Sequence, residues 1–239
     1  MIARIGLRCA LLGFLIFPAV LGAQSDDLHA DDHSRDVQSE AHQSGDLHSS
    51  AGQSDDLLNR IWDGVQQAQK KYTSSCGTVT ETRTSTLMAK PMVLRGKFCA
   101  EGTTRFALEY FAPASVRIRY NENTLNVTSG DKTEVMEVGS NVRRAQSYFS
   151  RESSIGNLRK NFIITVKENS GDFEMKLVPR TENFRRRLNY LVVKLDKGNF
   201  LLRSLEVDGK SGVNSVFVID VNSLNPKIPA EMFEVYKPQ

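Results

Sequence analysis

Between residues 57 and 239 the chain has no histidine; its four (His29, His33, His42 and His48) all lie in one acidic stretch near the N-terminus. This excludes Ser-His-Asp and Cys-His chemistry from the body of the chain, and any histidine-ligated metal there. The phosphate-cradling and dinucleotide-binding glycine loops, the G-x-S-x-G nucleophile elbow and the C-x-x-C redox pair are also missing. No carboxylate pair stands out as an acid/base couple, so the reading is non-enzymatic, with no cofactor and no metal; a hydrolase is the weakest reading. Tryptophan occurs once, at Trp62, and cysteine three times. Only one long apolar run is present, and it lies at the N-terminus.

That run defines an address. Residues 1–23 contain Arg4 and Arg8 and no acid, then an apolar stretch from Cys9 to Val20, then the small-residue end Leu21-Gly22-Ala23. This is the pattern of a secretory signal peptide, cleaved after about Ala23. The alternative is an uncleaved anchor, but a spanning helix needs about 20 apolar residues and Pro18 interrupts this one. Cys9 stands at the start of the apolar run rather than at the cleavage point, so there is no lipid-attachment box. The expectation is an exported, unlipidated protein in the periplasm.

Charge is unevenly distributed. Residues 24–56 hold nine acids against Arg35 alone, whereas residues 57–239 hold 28 bases against 19 acids. Residues 24–53 are poor in apolar residues and read as an acidic, His/Asp/Ser-rich disordered linker. A short unit recurs there, beginning at Gln24, Gln43 and Gln53. Such tracts can bind zinc or copper weakly, but a solvated spacer is the simpler reading. In the body, Arg143-Arg144, Arg151, Arg159-Lys160 and Arg185–Arg187 invite a nucleic-acid interpretation. Because they fall mainly in turns of an exported chain, solvated loops or docking to an anionic membrane or acidic partner are preferred.

The domain proper spans residues 54–239. Ser54 is placed as an N-cap, with Asp55 and Asp56 in the first turn. Leu57, Leu58, Ile61, Val65 and Ala68 follow helical spacing, and Lys70 and Lys71 suit the C-terminus, which predicts one amphipathic helix of about 17 residues. From Cys76 onward the chain alternates as strands: Phe106, Leu108 and Tyr110 on one face, then Val116, Ile118 and Tyr120, then Leu125 and Val127. Further strands are read at 133–138, 162–167, 173–177, 188–195, 200–207 and 215–221. Turn signals separate them at Asn121–Asn123, Gly130-Asp131, Asn169–Asp172, Asp196–Gly198 and Asp208-Gly209. Residues 139–160, with Tyr148, Phe149, Ile155 and Leu158 as their large apolar groups, read as a loop with a short helix crossing the sheet. A hairpin centred on Leu87-Met88 sets Cys76 directly opposite Cys99. With an even number of cysteines after export, this favours a disulfide over two free thiols. Closing that loop is worth about 3 kcal/mol in the chain-entropy model.

The fold expected is mainly β with α: an incomplete antiparallel β-barrel, or strongly curved sheet, of about eleven strands, covered by an N-terminal helix and a short lid helix. One helix covers only part of so wide an apolar face, which needs a second helix, a partner or a lipid to complete it. A fully packed barrel without a cavity is the alternative. Enclosing an acyl chain gains about 0.8 kcal/mol per buried methylene.

The order of signal peptide, amphipathic helix and long meander resembles the LolA family of periplasmic carriers of outer-membrane lipoproteins. Gly96–Pro113 is similar to the family's stretch from a glycine opening the second strand to a proline closing the third. Val116–Tyr120, Asn121–Asn123 and Thr124-Leu125 follow as the next strand, turn and strand opening. Leu224–Val235 resembles the closing motif, in which a loop leads to a final strand centred on Phe233. At the positions where the family often has a basic residue and a proline, this chain has Gly102 and Thr103; where it has a strand tryptophan, this chain has Leu108.

The resemblance implies a carrier that receives acylated lipoproteins from an inner-membrane export complex, shields their acyl chains and delivers them to an outer-membrane acceptor. Phe106, Leu108, Tyr110, Val116, Ile118, Tyr120, Leu125 and Val127 would line the lipid cavity, with Leu57, Ile61 and Val65 as its cover; each could equally be plain core. The chain would act as a monomer and bind no nucleic acid. The alternative is a periplasmic sensor or scaffold that uses the same half-barrel to bind another lipid or a protein partner.

Overall fold

The computed structural model describes residues 48–137 and 154–236; the signal segment, most of the acidic linker and residues 138–153 lie outside that range, together with Tyr148, Phe149 and the clusters Arg143-Arg144 and Arg151. The described chain opens with helix α1, His48–Lys71. Leu58, Ile61, Trp62 and Ala68 are its buried face, and Leu57 and Val65 pack beside them. The helix therefore begins six residues before the expected cap, and Ser54 lies inside it. Its last turn carries Lys70 and Lys71, which favour the negative end of the helix dipole.

Eleven strands follow among the described residues: β1 Ser74–Ser85, β2 Met92–Glu101, β3 Arg105–Ala112, β4 Val116–Asn121, β5 Thr124–Ser129 and β6 Lys132–Glu137; then, after helix α2 (Ile155–Asn161), β7 Phe162–Glu168 and β8 Asp172–Pro179; then, after helix α3 (Glu182–Arg185), β9 Leu188–Asp196, β10 Leu202–Gly209 and β11 Val213–Leu224. They form one sheet in the order β6-β5-β4-β3-β2-β1-β11-β10-β9-β8-β7. Its pairings are antiparallel. Two meanders are thus joined at the centre by the pairing of the two longest strands, β1 and β11. The terminal strands β6 and β7 do not pair, so the barrel stays open.

The registers follow from local rules. The hairpin of β1 and β2 places Cys76 opposite Cys99, and the two are joined as a disulfide with Cα atoms 4.1 Å apart. Asn121 and Thr124 flank a two-residue turn in which Glu122 has φ 55°, and Gly130 supplies φ 57° at the next. Register breaks at Cys76/Gly77 and Arg95/Gly96 bring a glycine to each. A β-carbon on Gly77 would lie 2.0 Å from the Asp220 carbonyl oxygen. Such bulges bend and twist the strands that carry them.

Several expectations are corrected. The Asp208-Gly209 pair is the end of β10, with Gly209 opposite Leu188, and the turn lies beyond it, where Gly212 has φ 75°. Phe200 does not open a strand; it sits at φ 57° in the turn before β10, which frees its ring to reach α1. The segment expected as a final Phe233 strand is instead a 3₁₀ turn, Ala230–Phe233. It is held by side chains rather than by strand pairing. Phe233 is fully buried under the Arg105 guanidinium, while Asn121 and Arg119 donate to the carbonyls of Phe233 and Glu234. These partners lie on the face of β3 and β4 opposite Phe106 and Tyr120, so the C-terminal segment covers the outer side of the sheet. Helix α3 was not anticipated. The short helix expected within residues 139–160 corresponds to α2 at the end of that stretch, capped by Ser154 and anchored by the fully buried Leu158.

Candidate functional site

The inner face of the sheet is built by strict alternation. Across β3, β4 and β5 the register sets Phe106 against Tyr120 and Leu108 against Ile118, then Ile118 against Val127 and Tyr120 against Leu125. These six and Tyr110 are at most 5% exposed, and Val116 packs against them in part. Ile61 of α1 is buried in the same cluster, and Leu57 and Val65 lie at its rim. The structure thus brings all eleven residues expected at the site into or against one apolar cluster, a layer on the inner face of the sheet. The cluster continues through Phe217 of β11 and Val193 of β9 to Met175 of β8.

A charged group interrupts this layer at its centre. Glu81 of β1 pairs with Leu94 on one side and Phe217 on the other, so its side chain belongs to an apolar row. It is fully buried. Arg83, two residues along the same face, is 6% exposed. Its Nε and Nη2 donate to the two Glu81 oxygens at 2.5 and 2.9 Å. The Tyr110 hydroxyl, from β3, donates to Glu81 Oε2 at 2.6 Å. Tyr110 reaches that far because Gly96 stands opposite it on the intervening strand. Burial, reinforced by the Glu81 carboxylate, pushes the Tyr110 phenol well above its ordinary value. Removing either partner of such a pair strands a buried charge, whereas well-packed apolar replacements of both are often neutral or stabilising.

The outer side of α1 is held to the sheet by polar contacts. Arg60 pairs with Glu168 at the end of β7, and Lys197 reaches the other Glu168 oxygen at 2.6 Å. Both cations also face the Phe173 ring, which stacks on Phe200 with centroids 5.5 Å apart. The hydrogen bond from Lys197, then the Arg60 contacts, hold the Glu168 carboxyl below its ordinary range. Arg159 of α2 pairs with Asp55 at 2.7 Å. Phe200 abuts Gly64, where a β-carbon would lie 2.3 Å from the ring. An open polar groove runs along this side, lined by Asp56, Asn59, Arg60, Asp63, Gln67 and Phe200.

Glu81 and Arg83 were missed from sequence because β1 is rich in serine and threonine and shows no apolar alternation. A signal was present nonetheless: the hairpin that opposes Cys76 and Cys99 also opposes Glu81 to Leu94, and so assigns it to the apolar face. Of the basic clusters, Arg159 pairs with Asp55 of α1 and Arg186 with Glu182 of its own helix. Among the described residues, no group of three His, Cys, Asp or Glu could hold a metal ion. No described helix is long and apolar enough to cross a membrane.

No family model and no curated protein matches the chain. Among solved structures it is similar to a LolA superfamily protein from Nitrosomonas europaea, with 12% identity over 74% of this chain and 97% of that one and a TM-score of 0.40. It is similar to the lipoprotein LppX of Mycobacterium tuberculosis, with 12% identity over 74% and 99% of the two chains and a TM-score of 0.41. It is also similar to MucB in the Pseudomonas aeruginosa MucA/MucB complex, with 12% identity and a TM-score of 0.43; there it covers 76% of this chain and 60% of that one.

Proposed function

We propose that this chain is an exported, non-catalytic carrier. It takes the acyl chains of a lipid or lipoprotein against the inner face of its open sheet and shields them between the inner and outer membranes. The observation that supports this reading is the pairing of a wide apolar face on an unclosed sheet with one long amphipathic cover, α1, which is fastened at its outer side by exposed ion pairs. Exposed pairs of this kind are worth about 0–1 kcal/mol each.

The magnitudes favour a cover that lifts. Lifting α1 exposes Leu58, Ile61 and Trp62, at a cost of about 1.5–3 kcal/mol for each large side chain. Two acyl chains with roughly thirty methylenes between them gain about 24 kcal/mol at full burial. Measured from water, that gain exceeds the cost of exposing these three side chains. In this reading the export complex and the outer-membrane acceptor are the partners, the protein travels as a monomer, and nucleic acid has no part.

Native mass spectrometry of the protein, gently purified from its own exported form, tests the proposal. A co-purifying lipid or acylated peptide is the expected result. A chain that is empty as isolated, and stays empty after incubation with acylated peptide, overturns the carrier and favours a module that binds a protein partner.

A further inference from the structure

We infer that one end of the sheet is a docking surface for an anionic phospholipid bilayer, made of unpaired bases with exposed apolar side chains among them. The inference goes beyond the carrier reading and does not depend on it.

Topology gathers the bases. Alternate connections of an antiparallel meander fall at the same end of the sheet. One end carries residues 86–91, 113–115, 130–131, 180–187 and 210–212, and α2 enters β7 there. The other end carries residues 72–73, 102–104, 122–123, 169–171 and 197–201, and the exit from β11 at 225–229. The first set, with α2, holds eight bases against Asp131 and Glu182, whereas the charged residues of the second are Glu122, Lys197 and Lys227. Positive charge among the described connections is thus concentrated at one end.

The bases there are contiguous. The Arg180 N–H donates to the carbonyl of Asn161 at 2.7 Å, which brings it to the last residue of α2, after Lys160. Arg185 Nε donates to the Pro179 carbonyl at 3.3 Å. The Lys210 N–H donates to the Arg187 carbonyl at 2.9 Å. Val213, just past that turn, pairs with Ser85, where the turn holding Lys90 begins. The basic arc therefore runs from β7 round to β2. Within it, Arg159 and Arg186 are paired. Lys90, Lys160, Arg180, Arg185, Arg187 and Lys210 have no carboxylate partner among the described residues. All six but the half-buried Arg187 are exposed.

The same end presents apolar side chains to solvent. Leu87, in the turn between β1 and β2, is 89% exposed. Phe111 beside the connection from β3 to β4, and Ile163 at the start of β7, are exposed as well. Bases near an anionic bilayer are attracted to its headgroups, and apolar side chains between them add burial in the interface. That apolar component favours a lipid surface over an acidic polypeptide, for which the bases alone would suffice. In the carrier reading, such docking sets one end of the inner face against the membrane that supplies or takes the lipid.

Co-sedimentation of the full exported chain with vesicles tests the inference, using phosphatidylcholine alone and an equimolar mixture with phosphatidylglycerol. Binding to the mixed vesicles at low salt is expected, with little to phosphatidylcholine alone and a marked loss at about 0.5 M salt, where exposed charges are screened. Arg180→Gln with Lys210→Gln should weaken binding about twentyfold, from about fivefold for each base near an anionic surface. Lys97→Gln with Lys227→Gln removes the same charge from the middle of β2 and the opposite end, beyond the reach of screened contacts, and should change binding by less than about twofold. Leu87→Ser, at a side chain that the fold leaves in water, should weaken binding about tenfold. Absence of binding to the mixed vesicles at low salt overturns the inference. Equal weakening by the two charge pairs also overturns it, since the attraction would then belong to the total charge. Binding unchanged in Leu87→Ser overturns the bilayer as the occupant and assigns the bases to an acidic polypeptide. Vesicle binding and co-purified lipid are separate readouts: loss of the first with the second retained removes this docking surface and leaves the carrier reading standing.

Discussion

Gly96 and Tyr110 stand opposite each other across β2 and β3, and a β-carbon on Gly96 would lie 3.1 Å from the Tyr110 ring and 2.6 Å from the Glu109 carbonyl oxygen. The missing side chain is the space through which the tyrosine crosses β2 to reach Glu81. The backbone oxygen cannot swing aside as a flexible side chain could. Gly96→Ala should therefore destabilise the protein by about 1–3 kcal/mol, the usual cost of overpacking a tight site. Urea unfolding measures it, and an unchanged midpoint would show that β2 can move away without penalty.

Tyr110 itself predicts an alkaline limb of stability. Its phenol is raised in the folded state by burial and by Glu81. Stability from this group is thus fully present below the unfolded tyrosine value near pH 10 and is lost as pH rises above it. Tyr110→Phe should flatten the fall in stability between about pH 10 and 11, followed by thermal melts at a series of pH values. A fall of the same slope in both proteins would assign it to other groups.

At the edge of the sheet, Glu168 should titrate below its ordinary range, held there first by Lys197 and then by Arg60. The sign is that of a lowered carboxylate: its contribution is present above the unfolded value and is lost as pH falls through the folded one. Lys197→Ala should move the titration upward more than Arg60→Ala does, read by carboxyl-carbon NMR. The reverse ranking would make Arg60 the dominant clasp on α1.

The Cys76–Cys99 bridge joins residues 23 apart. Replacing both by serine should lower stability by about 3 kcal/mol, mostly through a less constrained unfolded chain. Guanidinium unfolding of both forms checks this; a loss well under 1 kcal/mol would show that the unfolded chain keeps the hairpin closed without the bond.

Within the apolar layer, centre and rim should separate. Ile118 is 1% exposed, and Ile118→Ala should cost about 2–5 kcal/mol. Leu57 and Val65 lie at the margin of the cluster; in the carrier reading they belong to the part that lifts, so replacing both by serine should cost less stability and weaken acyl binding more. Stability and probe affinity measured on the same samples decide between the roles. Rim variants that unfold the protein yet bind acyl probes normally would make α1 a permanent part of the core.

Much of this architecture can be read along the chain. Alternation in residues 105–127 locates β3, β4 and β5 and the face that each buries, because side-chain direction in a strand has a period of two and tolerates no slip. The hairpin at Leu87-Met88 needs no more than symmetry about its centre to oppose the cysteines. The misses have local causes of a different kind. Ser54 and its two aspartates read as a helix start, yet the preceding residues continue the same turn geometry. Around Phe233, an aromatic among prolines reads as a strand, but it is held by Arg105, Asn121 and Arg119 from strands more than a hundred residues away.

Sequence by itself determined the first helix and the run of strands as far as residue 221, the disulfide, the apolar faces of the central strands and the separation of an acidic N-terminal stretch from a basic body, because these depend on composition, periodicity and near-neighbour pairing. Tertiary structure alone decided that β1 meets β11 at the centre and that β6 and β7 are the edges of the open sheet. It also decided that Glu81, which the hairpin register places on the apolar face, meets Arg83 and the Tyr110 hydroxyl there. Those outcomes depend on which strand closes against which over long loops, where the chain's own pattern is silent and only the packed alternative with fewest stranded polar groups is selected.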